Sequence, residues 1–361
     1  MRTLSTALLS ALAALAALTF SPEAHAENLE LSLERGLRVT DPGSSNTLKL
    51  GFLGQMSFEA SLERDSPRLN FSLPVARPFI NASLMDERLT LFVQPELAGS
   101  AARLLDAEAV IALGDCYCSP RISVGYYRPW FTRSWRTGLP QLAFSTRGAA
   151  ARAFHGPRSL GVSVGGRPGI FEYHVGVFNG QTPQQVPGAI PRLLTARVAI
   201  NPLGPVPYTQ TPWFEDLPGP RLSIGLNGAY ALPVEASRDG GFIEREQATG
   251  ALDVAFLTPH LSVLAEGFAR AELDTDELSW GSYLQINGLL AEKVWDIGGR
   301  VGVFRLADDF TSGQTDLHVE LSSTLYLAGP SARLMFYYRA ERGLDSGNGL
   351  DALGTQAQLW F

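Results

Sequence analysis

The chain has 361 residues, 45% of them hydrophobic and only 18% charged, with 36 glycines, 23 prolines and a formal charge of −7. So apolar a chain does not stay disordered, its negative charge argues against non-specific binding of nucleic acid, and beyond the N-terminus no apolar run reaches the ~18 residues of a membrane-crossing helix. Of the 29 basic residues 27 are Arg, a cation that stays charged and can grip an oxyanion through two parallel bonds.

The first residues read as an address. Arg2 supplies a positive start, Leu4–Phe20 an apolar stretch, and Ala24-His25-Ala26 an A-x-A cleavage site. That is the pattern of a secretory signal peptide over 1–26. The remainder, 27–361, is expected to form one domain.

From there the dominant pattern is a period of two. In Thr47–Glu63, Leu48, Leu50, Phe52, Met56, Phe58 and Leu62 alternate with Thr47, Lys49, Gln55, Ser57, Glu59 and Glu63. The alternation returns near Arg88–Leu97, Leu105–Leu113, Arg121–Tyr127, Arg158–Gly166, Ile170–Asn179 and Arg192–Asn201. It continues through Pro220–Leu232, Thr249–Thr258, Leu261–Leu273, Ser279–Ala291, Val294–Leu306, Thr315–Leu327, Ser331–Arg342 and Ala352–Phe361. Counting Arg68–Leu84 as one strand despite Pro74 and Pro78 gives sixteen. A ring of that size keeps an aqueous lumen, and its closure leaves no unpaired edge facing lipid. The expected fold is therefore all-β: a transmembrane antiparallel barrel rather than a soluble sandwich.

The connectors agree. Short ones, such as Met85–Glu87, Arg167–Gly169 and Ala328–Pro330, alternate with longer ones, such as 128–157, 180–191 and 233–248. One rim of short turns and one of long loops is the pattern of outer-membrane barrels. Pro202–Gly219 is long where a short turn is expected, and Ala98–Leu104 short where a loop is expected. Tyr126, Tyr127, Trp130, Phe131, Trp135, Trp295, Tyr337, Tyr338 and Trp360 lie near strand ends and read as interfacial girdles.

Charge is unevenly spread. From Cys116 to Phe171 there is no Asp, Glu or Lys but eight Arg. Five of them, Arg128, Arg133, Arg136, Arg147 and Arg152, fall in the longest connector, about 128–157. Folded into the lumen, they form a basic constriction that favours anions; left on the surface, they meet lipopolysaccharide phosphates. By parity Arg121, Arg197, Arg300, Arg333 and Arg339 point inward, as do Glu96, Asp106, Glu108, Glu172, Asp253, Glu266, Asp296, Asp316 and Glu320. Cys116 and Cys118 fit either a local disulfide or two thiols, and no metal-ligand spacing involves the His residues. No cofactor and no catalytic residue is expected. The C-terminal alternation ending on Phe361 resembles the signal read by the outer-membrane barrel assembly machinery.

Several stretches resemble the phosphate-selective porin O and P family. They are Ile122-Ser-Val-Gly-Tyr-Tyr-Arg-Pro-Trp-Phe131, Arg158-Ser-Leu-Gly-Val162, Tyr173-His-Val-Gly-Val-Phe-Asn-Gly180 and Arg197-Val-Ala-Ile-Asn-Pro-Leu-Gly204. The resemblance covers roughly 100–205, with Ser159 standing where the family has an acid. It implies a homotrimeric sixteen-stranded porin of the bacterial outer membrane that passes phosphate through a basic constriction. This connector lacks Lys and the wall is acidic in places, so the expected function is a passive channel for small hydrophilic solutes with a preference for anions. The alternatives are a weakly selective general porin and a non-conducting structural or adhesive barrel.

Overall fold

In a strand, alternate side chains point to opposite faces, so one oily and one wet face along each of many strands calls for a sheet between two media. A computed structural model describes residues 30–361 apart from 33–35, 42–44, 64–65, 117, 157, 181–191, 213–216, 218, 233–245, 276, 291–293, 308–312 and 348. The signal peptide read over 1–26 lies outside the described residues.

The first strands are β1 (Glu30–Ser32), β2 (Leu37–Asp41), β3 (Asn46–Glu63), β4 (Ser66–Leu84), β5 (Leu89–Glu96), β6 (Arg103–Ala112) and β7 (Arg121–Tyr127). Then come β8 (Ser159–Gly166), β9 (Phe171–Phe178), β10 (Leu193–Ile200), β11 (Arg221–Ala231) and β12 (Gln247–Leu257). The last are β13 (Leu261–Glu272), β14 (Glu277–Leu290), β15 (Trp295–Arg305), β16 (Thr315–Ala328), β17 (Ala332–Gly343) and β18 (Gly349–Trp360). From β3 to β18 each strand pairs antiparallel with the next, and β18 closes onto β3 with Leu353 opposite Ala60 and Trp360 opposite Leu53. The result is a closed sixteen-stranded barrel.

The chain ends meet at the seam. β2 pairs with the first residues of β3, Leu37 opposite Leu50, in line with the end of β18. The Phe361 and Phe52 backbones exchange hydrogen bonds of 2.9 and 3.1 Å. Gly36, at φ +115°, joins this seam where a Cβ would lie 2.5 Å from the Leu50 carbonyl oxygen. The short pairing segments β1 and β2 are additions that the alternation did not reveal.

The exterior carries the oil. Val198, Leu226, Leu252, Ile286, Val301, Leu321 and Leu353 are exposed, whereas the inward Asp253, Ser262, Ser279, Asn287, Asp296 and Thr324 have 0% of their surface accessible. A soluble protein does the reverse; this is the surface of a membrane-spanning barrel. Pro74 and Pro78 fit inside β4 because its pairing with β5 is confined to Ile80–Leu84, and Pro74 sits at the register shift opposite Gln55 and Ser57. A proline without a ladder partner to serve costs no hydrogen bond.

The girdle reading needs correction. Tyr127, Phe131 and Tyr337 are buried, Trp130 stacks 3.5 Å from the inward His174, and Trp360 and Trp135 line lumenal cavities. A place near a strand end does not by itself put a ring at the membrane interface, because parity and loop infolding turn these rings inward. Trp295 and Tyr338 do face outward. Cys116 and Cys118 are joined in a disulfide in the β6–β7 turn.

Gly125 on β7 has φ +134°, and an added Cβ would lie 2.0 Å from the Ala107 carbonyl oxygen. Strain of this kind costs on the order of 1–3 kcal/mol before the clash is counted. Gly125→Ala is expected to reduce the fraction of protein that refolds to the compact, heat-modifiable band on an SDS gel; an unchanged fraction contradicts the role given to this glycine.

Candidate pore constriction

The connector after β7 turns into the barrel because it has inner-wall partners at every stage. It forms a short helix α1 (Arg133–Arg136), a 3-10 turn (Leu139–Gln141) with Pro140 in its first turn, and a second helix α2 (Ala149–Phe154). Phe131, Ala150, Ala151 and Phe154 pack on Ala251, Ala255, Leu264, Phe268 and Tyr283 of β12–β14. Phe154 stacks on Phe268 at 5.3 Å. A buried Phe contributes roughly 1.5–3 kcal/mol, so this apolar patch on an otherwise polar wall holds α2.

Polar anchors do the rest. Glu266 accepts from the Ser134 N–H at 2.8 Å and from the Ser134 and Thr132 hydroxyls. Arg333 donates to the Leu142 carbonyl at 2.6 Å, and Arg300 to the Thr146 carbonyl at 3.0 Å. Ser134 also lies 3.3 Å from His155 Nε2. The cluster has a hydroxyl, an imidazole and a carboxylate, but its serine is fully buried and its carboxylate takes the serine hydroxyl rather than orienting the imidazole. It is a joint between loop and wall. Burial, then the nearby Arg147 and Arg128, hold His155 well below the usual imidazole range, so this joint is uncharged on its His side at neutral pH.

A second segment enters from the opposite rim. In the connector too long for a simple turn, residues 201–212 fold inward and bury Val206, Thr209, Gln210 and Thr211. Arg133 donates to the carbonyls of Val206 (3.1 Å) and Pro207 and lies 4.6 Å over the Tyr208 ring. The Gln210 N–H donates to the Gln141 carbonyl at 2.9 Å. The two in-folded segments are therefore braced against each other, an arrangement the sequence showed only as an unexplained length.

The five loop Arg residues separate by position. Arg128 donates to the carbonyls of Trp135 and Thr137 at 3.0 and 3.3 Å, and Arg136 to the Arg128 carbonyl at 2.7 Å while lying 4.0 Å over Trp130. Both line a cavity of about 350 Å³ toward the turn rim, with Lys49, Arg77, Asp106 and Glu108. Arg147 donates to the carbonyls of Ser134 (3.0 Å) and Thr137, and with the exposed Arg152 lines a cavity of about 440 Å³ toward the loop rim. Arg133 lies between the loops, with 1% of its surface accessible. Burial, then Arg158 and Arg77, push Arg147 down to about 10, so it keeps its charge at neutral pH.

The wall behaves differently. Arg77 pairs with Glu96 (2.6 Å), Arg158 with Asp106 (2.8 Å), Arg339 with Glu59 (3.0 Å), Arg197 with Asp253, and Arg300 with Glu320. Arg121 is exposed and lines a further cavity with Arg136, Arg167 and His174. Among the described residues, none of the five loop Arg residues has such a carboxylate partner within 4.0 Å. Their own segment contains none, and Glu59, Glu96, Asp106, Asp253 and Glu320 are engaged by wall cations. Sequence reasoning did not single out Arg77 or Arg158 as wall partners, or Glu266 as the loop's anchor; only the last had a local signal, a carboxylate at an inward position.

A closed sixteen-stranded barrel with an apolar exterior and loops folded into a charged lumen defines the architectural class. Among solved structures the chain is similar to the outer-membrane channel DcaP of Acinetobacter baumannii, with 11% identity, TM-score 0.59, and 89% of this chain and 99% of that one covered. It is also similar to an anion-selective porin from Comamonas acidovorans, at 12% identity and TM-score 0.57, covering 88% and 100%. A third is OmpT of Vibrio cholerae in its trimer form, at 11% identity and TM-score 0.56, covering 87% and 99%. No family model and no curated protein matches the sequence. The likeness is one of fold.

Proposed function

We propose that the chain is a porin of the bacterial outer membrane: a passive, water-filled channel for small hydrophilic solutes that prefers anions, with phosphate among them. One observation carries the reading. The in-folded loop brings Arg128, Arg136, Arg147 and Arg152 to lumenal cavities with their guanidinium groups on backbone carbonyls or open space, while the nearby wall acids Glu59, Glu96 and Asp106 are held by Arg339, Arg77 and Arg158. Uncompensated positive charge in a narrow, low-dielectric passage concentrates anions. The motifs similar to the phosphate-selective porin O and P family support phosphate as a solute. The apolar exterior supports contact with lipid and lipopolysaccharide, and the likeness to a trimer-forming barrel supports a homotrimer. Phe361, its ring 6.1 Å from that of Phe52 on the closing seam, is the residue we propose as the assembly signal.

Purified protein in a planar bilayer is expected to show discrete conductance steps in potassium chloride, and added phosphate is expected to reduce the chloride current by competing for the same Arg residues. Absence of steps favours the closed structural or adhesive barrel. Steps indifferent to phosphate favour a general porin.

A further inference from the structure

Resting on the channel reading, a second question concerns where the two basic chambers communicate. The in-folded loops meet the wall from β9 round to β18: Tyr208 bonds to Glu172 of β9, α2 packs on β12–β14, Gln285 of β14 bonds to Gln210 at 3.4 Å, and Arg300 of β15, Arg333 of β17 and Gln358 of β18 donate to loop carbonyls. The space left runs along β3 and β4. There the turn-rim cavity ends on the pair Leu53–Arg77, and the loop-rim cavity begins with Gln55 and Val75. These are successive inward rungs of the same ladder, about 7 Å apart for two residues of a strand. One loop residue lines both cavities at this step: Leu139.

Each rung carries one apolar side chain beside a polar one: Leu53 beside Arg77, which Glu96 neutralises at 2.6 Å, and Val75 beside Gln55. Leu53 and Val75, with 2% and 4% of their surface accessible, are oily side chains at inward positions, opposite the half-buried Leu139. The turn that presents Leu139 is held from three directions. Gln358 of β18 donates to the Pro140 carbonyl (3.4 Å), Gln210 to the Gln141 carbonyl (2.9 Å) and Arg333 to the Leu142 carbonyl (2.6 Å). A pinned leucine facing two oily wall residues is not needed to hold the loop, which α2 and Glu266 already anchor. We propose that Leu139, with Leu53 and Val75, forms a hydrophobic step between the two basic chambers, and that this uncharged step limits the flux of small anions. The cations on either side set the sign of the permeant ion; the step sets how fast it crosses, because shedding water at an oily constriction is the barrier there.

The test uses the full-length protein in planar bilayers. Leu139→Ser is expected to raise single-channel conductance about twofold or more, and Leu139→Trp to lower it about twofold or more, with anion preference kept in both. In L139C, a negatively charged methanethiosulfonate reagent added to either side is expected to reach the thiol and reduce the current; Cys116 and Cys118, joined to each other, do not react. L139C is expected to fold, which its heat-modifiable mobility checks, so the comparison does not depend on the bulkier variants. A conducting protein whose current is unchanged after complete modification of L139C, verified by mass, overturns the hydrophobic step alone. A wild-type protein that carries no current overturns the channel reading and the step with it.

Discussion

Replacing Arg128 and Arg136 together by Gln is expected to lower the anion-to-cation permeability ratio several-fold. Both guanidinium groups line the turn-rim cavity, and neither has a carboxylate partner among the described residues. A unit charge ~4 Å from a permeating ion is worth about 1 kcal/mol even in bulk water, which is roughly a fivefold change in local concentration per charge. Salt screening reduces that figure, so the ratio should fall most at low ionic strength. The paired Lys variants separate charge from architecture. Lys keeps the charge but lacks the planar guanidinium that fixes Arg128 on its carbonyls and Arg136 on Trp130, so R128K/R136K is expected to retain anion preference with noisier openings. Equal loss in the Gln and Lys pairs, read from zero-current potentials, would assign these residues to loop structure alone.

Glu266→Ala is expected to release the loop. The carboxylate is buried, and three loop donors end on it: the Ser134 N–H and the hydroxyls of Ser134 and Thr132. Each buried donor left without a partner costs about 1–3 kcal/mol, comparable to the apolar packing of α2. The exposed variant loop should become a substrate for trypsin at Arg133, Arg136 and Arg147, and the channel should flicker between conductance levels. Glu266→Gln keeps an acceptor oxygen of nearly the same shape and is expected to show a smaller change. Resistance to trypsin equal to that of the wild type would place the loop's anchorage in the α2 patch alone.

The barrel itself was legible because each strand divides oil from water residue by residue, and that division is written locally. Leu252 and Asp253 are adjacent in sequence and opposite in environment, and no tertiary information is needed to see it. What fills the lumen is not written that way. Tyr127, Trp130, Trp135, Tyr337 and Trp360 look like interfacial aromatics until the loop path and strand parity turn them inward. The Pro202–Gly219 connector announced itself by length, but its meeting with Arg133 depends on two chain segments about seventy residues apart finding the same lumen. Arg133 looked like one more constriction cation, since the same residue type in one loop serves a cavity at Arg128 and a backbone brace at Arg133. The ion pairs of the wall, such as Arg77 with Glu96, join residues of different strands and are invisible to alternation.

The zero-current potential across a potassium chloride gradient tests the proposed anion preference of the lumen most directly. With the wild-type protein in a bilayer and the more concentrated salt on one side, the potential is expected to carry the sign of chloride flux and to shrink as ionic strength rises. A potential of the opposite sign, set by potassium, would contradict the account.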